Sequence, residues 1–347
     1  MFSIFQQPYQ LPQFSSRNGS EDIGHILTSE ATEYTIKSLI CRGEWASISG
    51  AVDQNLNVPH GAKLNEDAVA IIGTAGCLWM VVADGCTSLN RVPEIERKYQ
   101  VTAARFASNF VVEQMRILLS SEEYSKETSP QTLIRDCNSR LDHIVGQELG
   151  SDRSDPNARP RTTLVVTKID PLKDRVEFAY IGDGIVLADY GSRTESLFES
   201  QVERFEYGIK LAMCEIARSH SISIKQARES ERIKEALLNM QREYCNRLDL
   251  TGFGILDGSS IAISYVQHKT LPLSGLKGIF LGSDGCLSVG RDYLKEDDRR
   301  YLFSRSYRDG VLQLLRDVKI SQDEDCEWCI SPRWKHSDDG SAVLVRF

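Results

Sequence analysis

Apolar positions in this chain of 347 residues follow two rhythms, one short and continuous, the other helical. Residues 1–33 follow neither and are expected to form an irregular N-terminal extension. Strand-like text begins near Thr35 and passes through Ile36, Leu39, Ile40 and Trp45 to Val52. Residues 54–63 carry Asn, Pro, His and Gly and are expected to be a loop. Residues 67–72 and 77–83 then predict a hairpin around Gly73-Thr74-Ala75-Gly76. From 94 to 119 the spacing of Val101, Ala104, Phe106, Phe110, Val111, Met115 and Leu118 predicts one helix. A second helix is predicted over 131–149. Strands are predicted at 162–169, 175–181 and 185–190. Residues 196–247 are charged and helical in pattern, with Ile216, Ile233 and Met240 among the candidate apolar positions. Strands at 260–266 and 276–283, a single helix over 297–318 and a last strand at 341–347 complete the reading.

Strand groups of hairpin type separated by paired helices predict sheets covered by helices, an α+β layered fold. No glycine-rich loop of the dinucleotide or P-loop type and no internal repeat is present. The composition, 41% hydrophobic and 26% charged, is that of an ordinary soluble globular protein. No apolar run approaches the roughly 18–20 residues that span a bilayer, so no membrane partner is expected. The first 20 residues lack a basic segment followed by an apolar one, so no secretory signal is expected. A net charge of −8 argues against nucleic acid as a partner. Nine cysteines without framework spacing are expected to be reduced thiols in a cytoplasmic protein. Cys326-Glu327-Trp328-Cys329 stands alone, whereas zinc would need a second pair of ligands.

The candidate chemistry lies where the apolar runs stop. Leu78-Trp79-Met80-Val81-Val82-Ala83 ends in Asp84-Gly85, and Gly278-Ile279-Phe280-Leu281-Gly282-Ser283 ends in Asp284-Gly285. A carboxylate at the end of a buried strand is costly unless a cation or hydrogen-bond donors receive it. Glu66-Asp67, Asp183 in Gly182-Asp183-Gly184, and Asp338-Asp339 occupy similar places at predicted strand edges. Taken singly, each Asp beside Gly is an ordinary turn residue. Repetition after apolar strands points instead to an acidic site. Oxygen ligands without a histidine cluster suit Mg²⁺ or Mn²⁺ rather than zinc. Two such ions sharing a carboxylate can hold a hydroxide for in-line attack on phosphorus.

These motifs, in this order, resemble the metal-dependent protein phosphatases of type 2C, the PPM family, as a divergent member of bacterial type. The resemblance rests on Asn65-Glu66-Asp67-Ala68, Val81-Val82-Ala83-Asp84-Gly85, Arg161-Thr162-Thr163-Leu164, Gly182-Asp183-Gly184, Ser283-Asp284-Gly285 and Asp338-Asp339-Gly340-Ser341. It implies a four-layer α-β-β-α sandwich over residues 34–347, two mainly antiparallel sheets flanked by helices, with 196–258 as a helical flap-like insertion. It implies that Asp84 bridges two Mn²⁺ or Mg²⁺ ions and that the Gly85 carbonyl binds one of them. Asp284 and Asp338 would complete the other, and Asp183 would be the ligand of a possible third ion. Glu66 and Asp67 would hold metal-bound water. The implied substrate is phosphoserine or phosphothreonine on a protein, phosphorylated by a cognate kinase.

The chain also departs from the family. Ala62 stands where an arginine usually grips phosphate, with Lys63 beside it and Arg161 as a second candidate. Cys86 follows Asp84-Gly85 where some members carry a histidine, leaving His60 and His336 as candidate proton donors. Ser288 stands four residues after Asp284, where many members place an acid. Cys86 and Cys286 both follow Asp-Gly, which would bring two thiols to the metals. Two alternatives stay open: a catalytically weak binding or regulatory module on the same fold, and a small-molecule phosphohydrolase.

Overall fold

A computed structural model describes residues 24–27, 47–53, 65–74, 76–86, 93–149, 159–249, 251–336 and 338–347. Strands β1 (Gly24–Leu27), β3 (Ala68–Thr74), β4 (Cys77–Cys86), β5 (Arg161–Asp170), β6 (Arg175–Ile181) and β9 (Gln267–Pro272) form one sheet. Its order is β1-β3-β4-β5-β6-β9. Strands β2 (Ser47–Asp53), β7 (Ile185–Asp189), β8 (Thr194–Ser196), β10 (Gly278–Gly282) and β11 (Gly340–Arg346) form a second, in the order β2-β11-β10-β7-β8. Among the described residues, the strand pairings within both sheets are antiparallel.

Alternate side chains of the same strands serve two cores. Trp79, Val81 and Ala83 of β4 pack toward helices α2 (Ala103–Leu119) and α4 (Pro130–Leu149), against Phe106, Met115, Leu133 and Leu141. Leu78, Met80 and Val82 face the other way, against Val186, Ile279, Leu281 and Val343 of the second sheet. The far side of that sheet, with Leu187, Phe280 and Leu344, is covered by Leu302, Phe303, Leu314 and Leu315. These come from α9 (Glu296–Asp309) and α10 (Val311–Glu324). The result is the expected four-layer α-β-β-α sandwich. It also explains the unbroken apolar runs, because a strand buried on both faces has no polar side to alternate with.

The hairpin forms as expected, with Thr74 opposite Cys77. Several elements differ from the sequence reading. Gly24–Leu27, within the stretch expected to be irregular, pairs along Val69–Ile72 at the sheet edge. The first long helix is two, α1 (Pro93–Tyr99) and α2, separated where Gln100 takes a positive φ of 57° and Thr102 caps α2 by accepting the Arg105 amide. The helix expected over 297–318 is broken at Gly310, whose φ of 83° and ψ of 160° no other residue adopts without strain. The strand expected over 260–266 is instead a single helical turn, α8 (Ser260–Ile263), with β9 following it. Ser259 accepts the Ala262 amide and starts that turn.

Between β8 and α8 lie α5 (Glu203–His220), α6 (Ile224–Arg228) and α7 (Glu231–Tyr244). They close over a small core of their own, in which Met213, Ile233 and Met240 meet Phe253 and Trp328. Helix α3 (Glu122–Glu127) links α2 to α4. No helix among the described residues is long and apolar enough to cross a membrane.

Candidate active site

Both sheets send strand ends to the same place. Glu66 and Asp67 lead into β3, and Asp84 and Gly85 lie in the last residues of β4, opposite Thr163 and Thr162 of β5. Asp183 sits in the corner between β6 and β7, where the chain passes from one sheet to the other. Asp284 follows β10, and Asp338 and Asp339 precede β11.

The joints between these segments are direct. Ser283 Oγ donates to Asp67 Oδ2 at 2.7 Å and receives the Ser341 amide at 3.0 Å. The Glu66 amide donates to Asp339 Oδ2 at 2.8 Å. Thr102 Oγ1, the cap of α2, also donates to Glu66 Oε1 at 2.6 Å, so the break between α1 and α2 supplies a site contact. Thr162 Oγ1 donates to the Asp84 carbonyl at 2.8 Å. The glycine after each Asp is required by close approach. A Cβ on Gly85 would lie 2.6 Å from the Ala104 carbonyl oxygen, and one on Gly285 would overlap the carbonyl oxygen of Asp339.

The electrostatics are those of crowded like charges. Burial raises Asp84 well above the usual carboxylate range, and repulsion from Asp67, Asp284, Asp338 and Asp183 adds to it. Asp183 is raised well above that range by burial, then by Asp284 and Glu206. Desolvation and Asp339 push Asp67 up to about 7, against the opposing hydrogen bonds of Ser283 and Ser341. Asp284 opens to solvent but is raised to about 6, by desolvation and then by Asp338 and Glu206. Asp67 Oδ1 and Asp183 Oδ1 are buried and accept no hydrogen bond.

Among the described residues, no three carboxylate, imidazole or thiol groups are drawn together around one point as a finished metal cage. The donor set nevertheless fits a hard divalent cation. It is all oxygen, it carries mutual repulsion that a cation would relieve, and it holds two buried oxygens without donors. A pure scaffold gains nothing from such a cluster.

Other expected residues fall differently. Lys63, His60 and Ala62 lie outside the described residues. Arg161 is buried at the start of β5, opposite Cys86 and close enough to Cys245 to act on its thiol. His336 pairs with Asp323 of α10 at 3.0 Å. Burial, then Asp84 and Asp183, holds the Cys86 thiol well above its usual range; Cys286 is raised by burial, then Asp67. Both thiols are therefore kept protonated and poorly nucleophilic.

Two side chains at the site were not singled out from the sequence. Glu206 of α5 accepts the Trp334 indole N–H at 2.8 Å, pairs with Lys210 at 2.8 Å, and acts on Asp183 and Asp284. Nothing in a uniformly charged helix marks it. Lys335 pairs with Asp338 Oδ1 at 2.8 Å, and its place three residues before the Asp-Asp motif was a readable signal.

Comparison with known proteins bears on the family and the fold. The family model described as Protein phosphatase 2C matches residues 60–323, more than half of the chain. That span holds Glu66, Asp67, Asp84, Gly85, Asp183 and Asp284, whereas His336, Asp338 and Asp339 lie beyond it. No curated protein sequence matches the chain. Among solved structures, it is similar in fold to the serine/threonine phosphatase Stp1 from Staphylococcus aureus. That match has 17% identity and a TM-score of 0.51, and covers 86% of this chain and 93% of the other. It is likewise similar in fold to the S. agalactiae serine/threonine phosphatase, at 15% identity and a TM-score of 0.50, covering 87% and 99%. On the family match, the order of motifs and the paired antiparallel sheets with flanking helices, this chain belongs to the protein phosphatase 2C family.

Proposed function

We propose that this protein is a Mg²⁺- or Mn²⁺-dependent phosphatase that hydrolyses phosphoserine and phosphothreonine on proteins. The observation that carries the reading is the meeting of Asp84, Asp183, Asp284 and Asp338, delivered by strand ends of both sheets, as a cluster whose charges repel one another. Asp84, the Gly85 carbonyl, Asp284 and Asp338 would hold two ions, with Asp183 available to a third. Divalent cations bound there supply the charge that activates water and neutralises the phosphoryl group.

The chain's own groups do the positioning. Ser283 fixes one oxygen of Asp67 and leaves Oδ1 to accept a proton from water. Thr102 holds one oxygen of Glu66 in the same way. Thr162 pins the Asp84 carbonyl and thereby the turn that follows it. Residues that only orient others still matter, because such partners typically account for roughly 10- to 100-fold in metal affinity or activity.

The test is hydrolysis of a phosphothreonine peptide with and without Mn²⁺. Turnover should require Mn²⁺, stop with EDTA, and fall by roughly 100- to 1,000-fold or more in Asp84→Asn. Turnover that survives EDTA, or that Asp84→Asn leaves intact, overturns the reading. Binding of Mn²⁺ without turnover would support a regulatory module, and faster hydrolysis of phosphorylated metabolites than of phosphopeptides a small-molecule enzyme.

A further inference from the structure

A cleft lined by this many carboxylates repels an anionic substrate unless positive charge stands close by. Lys335 is placed to supply it. Its Nζ lies 2.8 Å from Asp338 Oδ1, while the side chain keeps 42% of its surface open to solvent. Against the desolvation that would lower it, Asp338, Asp84 and Glu66 hold the ammonium charged. In return it offsets part of the upward push on Asp284. The ammonium thus stands in reach of acids from both sheets.

This is not a lysine on a free surface loop. The residues before it are tied down on two sides. Arg333 bonds the Asp325 carboxylate at 2.8 Å, the carbonyls of Gln322 and Asp325 at 2.8 and 2.7 Å, and the His336 carbonyl at 3.0 Å. Trp334 donates to Glu206 of α5. On the other side, Lys319 of α10 donates to the Asp338 carbonyl. The backbone therefore delivers Lys335 to one place, and its four-carbon stem supplies a swing of a few ångströms.

Resting on the phosphatase reading above, we propose that Lys335 is the phosphate-binding cation of this cleft. In the metal-free chain its ammonium pairs with Asp338. Were a divalent ion held by that carboxylate, the ammonium would be released to donate to a non-bridging oxygen of the substrate phosphoryl group. Lysine serves such a role as a point charge with three donors rather than as a planar fork. The same competition implies that Lys335 weakens metal binding in the absence of phosphate.

Inorganic phosphate is the probe, titrated calorimetrically into Mg²⁺-saturated wild type, Lys335→Met and Lys335→Arg. The Met variant should bind phosphate roughly 10- to 100-fold more weakly, the range for a hydrogen bond to a charged group. It should bind Mg²⁺ at least as tightly as wild type, and the Arg variant should keep most of the phosphate affinity. KM for a phosphopeptide should rise in parallel in the Met variant. Equal phosphate affinity in wild type and Met variant, no phosphate binding by wild type, or a matching loss of Mg²⁺ affinity would each overturn the assignment. The last outcome would make Lys335 a prop for Asp338. If wild type hydrolyses no phosphopeptide, the phosphatase reading fails, but the phosphate titration still decides the role of Lys335.

Discussion

The Tyr293 hydroxyl accepts the Ser200 amide at 3.0 Å beneath the entry to α5, and only 6% of the residue is exposed. Burial raises its phenol to about 12, the Ser200 bond opposes that, and Glu203, Asp183 and Asp292 add to it. A phenol raised in the folded state stabilises the fold fully below its ordinary value near 10 and loses that contribution as pH climbs toward 12. Urea unfolding at pH 8.5 and pH 11.5 should therefore show a larger loss for wild type than for Tyr293→Phe, by about 2 kcal/mol. At this scale the site was partly readable. Asp84 and Asp284 stood out by repetition, because one Asp-Gly after a strand is an ordinary turn and two after doubly buried strands are not. Thr102 and Glu206 did not, because capping residues and charges on exposed helices are expected for local reasons whether or not they meet anything distant; Lys335 left a signal only in its spacing from Asp338.

Gly310 separates α9 from α10 in a backbone region nearly closed to other residues, and no atom lies within 4 Å of where a Cβ would stand. A methyl group there meets only its own backbone, so Gly310→Ala should cost about 1–3 kcal/mol in urea unfolding while the layers above and below remain packed. That break was hidden in the sequence. Leu302 and Phe303 before it and Val311 and Leu315 after it serve one core, so the apolar rhythm runs through the bend. The same masking joined α1 to α2, since Ile95 and Phe106 share a core across the gap. In and just after α8, Ile261, Ile263 and Tyr265 alternate like a strand, yet the preceding serine cap starts a helical turn. Strands β3, β4, β5, β7 and β10 were legible because burial on both faces leaves a continuous apolar signature, whereas the exposed edge strand β9 left none.

For the molecule as a whole, the acids come from separate layers. Asp84 lies in the six-stranded sheet and Asp67 leads into it, Asp284 and Asp338 flank strands of the five-stranded one, and Asp183 lies between. Bound cations would tie the two sheets together at one end. At free Mn²⁺ about 100 times its dissociation constant, stabilisation should be about 2.7 kcal/mol, a rise of roughly 4–8 °C in Tm. Scanning calorimetry should show most of that rise lost in Asp284→Asn. The Trp334–Glu206 bond has a different use. Trp79 and Trp328 are buried, whereas the Trp334 indole is half-buried, with a carboxylate on its N–H and the Lys210 ammonium 5.4 Å from its ring centre. Any shift of α5 changes the charge around that ring. With Trp45, which lies outside the described residues, replaced by Phe, the emission of the Trp334 indole becomes an optical gauge of where α5 stands against the acidic site.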